Sequence, residues 1–167
     1  MKEDEFLKLG NHREARRILG ALPGVPPLVW FDAAAALTAR RWFRLSEQHL
    51  RVSQLFIATP RAWRAAISRS YYAVYNASKS VRFYVSGRVS RGTDDHAAVG
   101  DLPKDFPNRP RWTNFTTELR RDRNLADYEP WRHVRRSLTY QPPQAIAEAK
   151  LFVAACRTYL RGKGLTL

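Results

Sequence analysis

Apolar residues recur along this chain at intervals of three and four, and nowhere do they alternate with polar ones over a strand's length. That spacing marks amphipathic helices, and the missing period of two argues against a sheet. The segment from Lys2 to Leu22 reads as a short amphipathic helix broken at Gly10-Asn11, with Phe6, Leu9, Ile18 and Leu22 as its apolar markers. Pro23-Gly24-Val25-Pro26-Pro27 then reads as a linker. A long helix follows, with Asp32 as its N-cap and an Ala-rich first turn, ending near Ala58. Leu37, Arg41, Leu45 and Gln48 alternate on it with Trp42, Leu50, Val52, Leu55 and Phe56, which leaves a broad apolar face. Thr59-Pro60 opens the next helix, because proline suits the first helical position. Trp63, Ile67, Tyr71, Val74, Ser78, Val81 and Val85 recur on that helix at helical spacing, up to Ser86-Gly87.

Residues 87–111 are rich in Gly and Pro and leave room for one short helix at about Asp94 to Leu102. A further helix runs from about Arg111 to Ala126, with Trp112, Phe115, Thr116 and Leu119 on its apolar stripe. Glu129-Pro130 ends it, since a residue before proline avoids the helical region. Residues 131–141 form a basic connector with one helical turn, and the last helix runs from Pro142 to about Gly162. The fold class is therefore all-α: an up-and-down helical bundle over residues 32–167, preceded by an N-terminal arm and Pro-rich linker over 1–31. The arm is expected to pack on the body or on a protein partner.

Composition narrows the class. At 167 residues the chain can bury a core without staples. One cysteine, Cys156, excludes an internal disulfide, and its neighbours Val153-Ala154-Ala155 suggest a buried small residue. His12, His49, His96 and His133 are scattered without ligand spacing, so no metal or other cofactor is expected. Asp94-Asp95 with Asp101 and Asp105 reads as a solvated acidic loop before it reads as a magnesium site. The charged start and the lack of a membrane-length apolar run predict a soluble cytoplasmic protein, with no membrane partner.

Net charge is +14, and residues 58–92 hold seven basic groups and no acid, which is half of the excess. A polyanionic partner such as RNA fits that pattern, and so does a solvated basic face.

Three short motifs then stand in order. Arg69-Ser70-Tyr71-Tyr72-Ala73-Val74-Tyr75 comes first, a lone His96 second, and Arg120-Arg121-Asp122-Arg123-Asn124-Leu125-Ala126-Asp127-Tyr128 third. Together they resemble the HEPN family (higher eukaryotes and prokaryotes nucleotide-binding), small all-helical proteins of which many are metal-independent ribonucleases and toxins. The similarity covers roughly Ala58 to Tyr159 and is closest to a subgroup with Arg followed by Ala-Asp-Tyr.

The resemblance implies a homodimer with the two Arg-containing motifs facing one groove. It implies an RNA-directed member of a defence or toxin–antitoxin system, with metal-independent ribonuclease chemistry as one outcome. A non-catalytic nucleic-acid or nucleotide-binding subunit, or an assembly subunit, is the alternative. Arg123 would clamp the scissile phosphate. The family's usual motif places a His at 128, 129 or 130, where this chain has Tyr128, Glu129 and Pro130. His96 is then the candidate acid or base, and Asp127 the candidate carboxylate beside it. Arg120, Arg121, Arg123, Asn124 and Tyr128, with Arg69 and Tyr72 from the earlier helix, are the candidate nucleic-acid contacts; His133 is a further phosphate contact. Each has a plainer reading. The tyrosines can serve packing, Asp127 can be a helix-end ion pair, and His96 can bond locally beside Asp94 and Asp95.

Overall fold

The computed structural model describes residues 8–88 and 93–167. The start of the arm, Met1 to Leu7, lies outside the described residues, as do residues 89–92. The helices are α1 (His12–Gly20), α2 (Val29–Leu55), α3 (Trp63–Val81), α4 (Thr93–Ala97), α5 (Arg109–Tyr128) and α6 (Pro142–Gly162). Short 3-10 turns cover Pro60–Ala62, Ala98–Gly100 and Arg132–Ser137. Among the described residues there is no strand, only an isolated bridge between Asn11 and Arg88. No helix of the described residues is long and apolar enough to cross a membrane.

Helix α3 is the centre of the bundle and packs on α2, α5 and α6. Small side chains line its contact with α2: Ala35, Ala39, Ser46 and Ser53 on one helix, and Ala66, Ala73, Ala77 and Ser80 on the other, all buried. Small residues bring two backbones close, and Ser80 uses that proximity to donate to the Ala39 carbonyl at 2.8 Å. The short connection after Leu55 makes the pair antiparallel. On its other sides α3 buries Ile67, Tyr71, Val74 and Val81 against Phe115, Leu119, Phe152 and Leu160. Fully burying a side chain of this size contributes roughly 1.5–3 kcal/mol. That outweighs the modest helix propensity of a segment so rich in Ser, Tyr and Val.

Local signals set the ends. Asn11 caps α1, its side chain accepting from the backbone N–H groups of Arg13 and Glu14 at 3.1 and 3.2 Å. Gln141 and Gln144 form a reciprocal capping box at the start of α6, with Pro142 inside it. Helix α5 ends at Tyr128, and Glu129 before Pro130 is extended. Cys156 is fully buried, and burial pushes its thiol pKa up.

Two expectations are corrected. Asp32 does not cap α2, which begins at Val29 after Leu28. It stands in the first turn and pairs with Arg16 of α1, so the carboxylate ties the arm down. The broad apolar face of α2 is buried only in part: Trp42 and Leu50 pack on the core with Phe31, Ala35, Ala39 and Phe43, whereas Leu37, Leu45, Val52 and Leu55 are exposed. The buried face combines two large rings, Phe31 and Phe43, with the small Ala35 and Ala39 that allow close approach to α3.

After Val81 the central helix widens into one π-helical turn, Arg82–Ser86, and stops at Gly87. Gly87 has φ +74°, and its N–H bonds the Phe83 carbonyl at 2.9 Å. Its own carbonyl accepts from His12 N–H at 3.0 Å, which seats the arm. A Cβ here would strike the Asn11 side chain and come within 2.9 Å of the Arg13 backbone nitrogen. Gly87→Ala should therefore lower stability by about 2 kcal/mol, combining left-handed strain with that clash. Gly24→Ala has the same sign of φ but open space around it, and should lose less. Urea unfolding midpoints of the two variants check the order.

Candidate functional site

The central helix carries three tyrosines to one edge of the bundle. Tyr71 is buried, while Tyr72 and Tyr75 are half-buried. They meet the short helix α4 on one side and α5 on the other. His96 stacks on Tyr75, ring centroids 4.3 Å apart and planes 16° from parallel. Its Nδ1 lies 2.8 Å from the Tyr71 hydroxyl. Arg123 reaches the same tyrosines from α5: it donates to the Tyr72 hydroxyl at 2.8 Å, and its guanidinium lies 5.4 and 5.8 Å from the Tyr72 and Tyr71 ring centres. Chain segments far apart in sequence thus place an imidazole and a guanidinium on one pair of adjacent phenols.

Beneath His96 is a buried ion cluster. Asp95 accepts from the Tyr75 hydroxyl at 2.5 Å and lies 2.9 Å from Lys79 and 3.0 Å from Arg82. Burial alone would disfavour its charge, but Arg82, Tyr75 and Lys79 outweigh that and hold its pKa below the usual carboxylate range. Two cations against one carboxylate leave the cluster net positive. Breaking such a pair by removing one partner costs roughly 3–5 kcal/mol. Helix α4 has only five residues, so this cluster, rather than helix stability, fixes the position of His96.

The His96 pKa is lowered, first by burial and then by the positive charge of Arg123, with Arg120 and Lys79 adding to it against Asp95. The imidazole is therefore neutral at pH 7. Burial pushes the Tyr71 hydroxyl up to about 12, so it keeps its proton. That hydroxyl can donate to Nδ1 or accept from it. The first tautomer makes Nε2 a proton donor, and the second makes it a base.

The basic motif on α5 splits between three directions. Arg123 turns to the tyrosines, and its Nε lies 2.7 Å from Asp127, an ion pair by distance without hydrogen-bond geometry. Asp127 also accepts from Ser68 at 3.4 Å. Arg121 points outward and shares a shallow groove with Arg120, Asn124 and Tyr128. Arg120 serves both faces, since it lines the groove and acts on His96. Asn124 accepts from Arg123 at 3.2 Å, and the Tyr128 ring lies 5.1 Å from its guanidinium. Tyr128, 68% exposed, stands beside these arginines, and Trp131, 61% exposed, follows after the end of α5. Arg69 is at the far rim, 3.4 Å from His49 Nδ1, with the His49 ring 5.5 Å from Tyr72. His133 is exposed on the connector.

Asp122, between the arginines, is fully buried. Its carboxylate accepts from the backbone N–H groups of Thr139 and Tyr140 at 2.9 and 2.8 Å and pins the connector, while burial raises its pKa. Arg64 donates to the Ala126 carbonyl near the negative end of α5. Asp105, part of the acidic loop, binds Tyr159 and Lys163, both at 2.6 Å. Asp95 and Asp105 thus serve as ion-pair partners.

Sequence reading did not find Lys79, Arg82, Asp95 or Asp122. The available signal for Asp95 was its place beside the candidate histidine, downstream of a segment with cations and no acid. Asp122 had no signal, because its period matches both the polar run and the core.

No family model matches the chain, and neither a curated protein nor a solved structure shows significant similarity to it.

The His96 ring should titrate below pH 6.5 in proton–carbon NMR spectra. Its folded pKa lies below the unfolded one, so the stability it contributes is present above pH 6.5 and lost as the pH falls. Arg123→Ala removes a neighbouring cation and should move the midpoint upward. An unchanged midpoint would mean that the two groups do not sense each other.

Proposed function

We propose that the protein is an RNA-directed, HEPN-like member of a defence or toxin–antitoxin system that cleaves single-stranded RNA without a metal. The observation that carries this reading is the meeting of His96 and Arg123 on the Tyr71–Tyr72 pair. Arg123 would hold the non-bridging oxygens of the scissile phosphate. His96 Nε2 would take the proton of the ribose 2′-hydroxyl, which attacks phosphorus and expels the 5′-oxygen, and that oxygen would take a proton from water. The products would be a cyclic 2′,3′-phosphate and a free 5′-hydroxyl.

The groove on α5 supports single-strand binding. Arg120 and Arg121 offer charge to the backbone, and exposed Tyr128 and Trp131 offer rings to unstacked bases. A homodimer would set two such motifs around one cleft and double the cationic groups there.

Two observations favour a second reading, a cytoplasmic binding or assembly subunit without catalysis. Asp127 already compensates the Arg123 charge at 2.7 Å, and the family's motif histidine is replaced at 128–130 by Tyr128, Glu129 and Pro130. The arginines would then bind RNA or a nucleotide without cutting.

Cleavage of single-stranded RNA should survive EDTA and leave cyclic or 3′-phosphate ends. Arg123→Ala and His96→Ala should each slow it about 10²–10⁴-fold, while the His96 variant still binds RNA. RNA left intact by stoichiometric wild-type protein would favour the binding subunit. Activity unchanged in both variants would move the site elsewhere.

The slope of log affinity against log salt should steepen by roughly 0.7 for each phosphate contacted. Light scattering should give about twice the 19.3 kDa chain mass. A flat salt titration would remove nucleic acid from the reading, and a monomer at micromolar concentration would remove the shared cleft.

A further inference from the structure

Helix α2 buries Phe31, Ala35 and Phe43 on one side. On nearly the opposite side it leaves Leu37, Leu45, Val52 and Leu55 exposed by 41%, 39%, 37% and 74%. Trp30, 52% exposed, extends the same line toward the start of the helix. At 3.6 residues per turn these positions fall in one sector of the helix over about 37 Å at 1.5 Å per residue, with the exposed Arg41 and Gln48 between them. Scattered apolar residues on a surface need no explanation, but five large ones in one sector of a helix, beside a basic groove, fit a contact surface.

A basic groove flanks this sector. It lies between α2 and α6, with Arg40 and Arg44 on one wall, Arg157 and Arg161 on the other, and Leu37 and Phe43 among its lining residues. Arg157 is neutralised by Glu47 at 2.6 Å. Arg40, Arg44 and Arg161 have no acidic partner among the described residues. None of the candidate RNA-binding residues lines this groove.

The chemistry selects the occupant. RNA could answer the arginines, but it has no aliphatic chains to cover Leu45, Val52 and Leu55. A second copy of this chain would bring its own arginines against these in a like-charge contact. A helix with leucine-type residues on one face and carboxylates along one edge answers both features, since an amphipathic helix lays its apolar face on an apolar surface. We propose that the α2–α6 face docks an acidic amphipathic helix of a partner protein, independently of the RNA site.

The probe is a synthetic helical peptide with Leu at every third and fourth position and Glu elsewhere, labelled with fluorescein. A scrambled peptide of the same composition is the control. Fluorescence anisotropy with the full chain should show the patterned peptide bound at least about tenfold more tightly. Arg40→Glu with Arg44→Glu should remove that preference by repulsion, and Leu45→Ser with Val52→Ser should remove it by taking away the apolar contact. All four positions lie outside the core, so circular dichroism should show both double variants folded, and their RNA affinity should be unchanged.

Equal binding of patterned and scrambled peptides would overturn the proposal, as would unchanged binding by either double variant. A dimer that dissociates on Leu45→Ser with Val52→Ser would assign the face to a second copy. RNA affinity lost with the arginine variant alone would assign it to nucleic acid. Each of those results replaces the acidic helix as occupant, and neither bears on whether His96 and Arg123 cleave RNA.

Discussion

Burial of most of helix α3 constrains the rest of the structure. Polar groups on its buried faces have little access to water and favour partners inside the bundle. Ser80 finds the Ala39 carbonyl, Ser78 the Val99 carbonyl, Tyr71 the His96 ring and Tyr75 the Asp95 carboxylate. Two of these four place α4, whose five residues hold few contacts of their own. The geometry of the candidate site follows from satisfying the central helix. His96 stands where it does because the phenols of α3 and the cations one turn further along fix Asp95 beside it.

Several acids of this basic chain, among the described residues, serve structure. Asp95 compensates Lys79 and Arg82, Asp32 holds the arm through Arg16, Asp105 binds Lys163, and Asp122 secures the connector. Along α5, Arg120 lines the groove and Arg121 stands 3.8 Å from Glu118, while Arg40, Arg44 and Arg161 line the groove beside α2. These are two separate basic areas with different surroundings. The first has exposed aromatic rings, which suit bases, and the second has exposed aliphatic chains, which suit a protein.

Much of the architecture was legible in the sequence because helix signals are local. The three-four spacing of apolar residues located every long helix, Glu129-Pro130 located the end of α5, and Gly87 located the stop after α3. The errors arose where two faces of one helix competed. On α2 the face that turns inward carries Phe31 and Phe43 with Ala35 and Ala39 between them, and four Leu and Val positions of the broad apolar face stay at the surface. Asp32 resembles a cap in isolation, yet its carboxylate answers an arginine on another helix.

For the site, the sequence determined the chemical inventory: tyrosines on one helix, a lone histidine before the next, and arginines at the end of α5. Their helical spacing also put Arg123 and Asp127 one turn apart, which is enough to predict that pair. Only the tertiary structure decided that Arg123 turns inward to Tyr72 while Arg121 turns out, that Asp122 is buried, and that Asp95 anchors His96. Periodicity fixes which residues share a face of one helix. It carries no information on which face meets which, because that depends on volumes and charges brought together from distant parts of the chain.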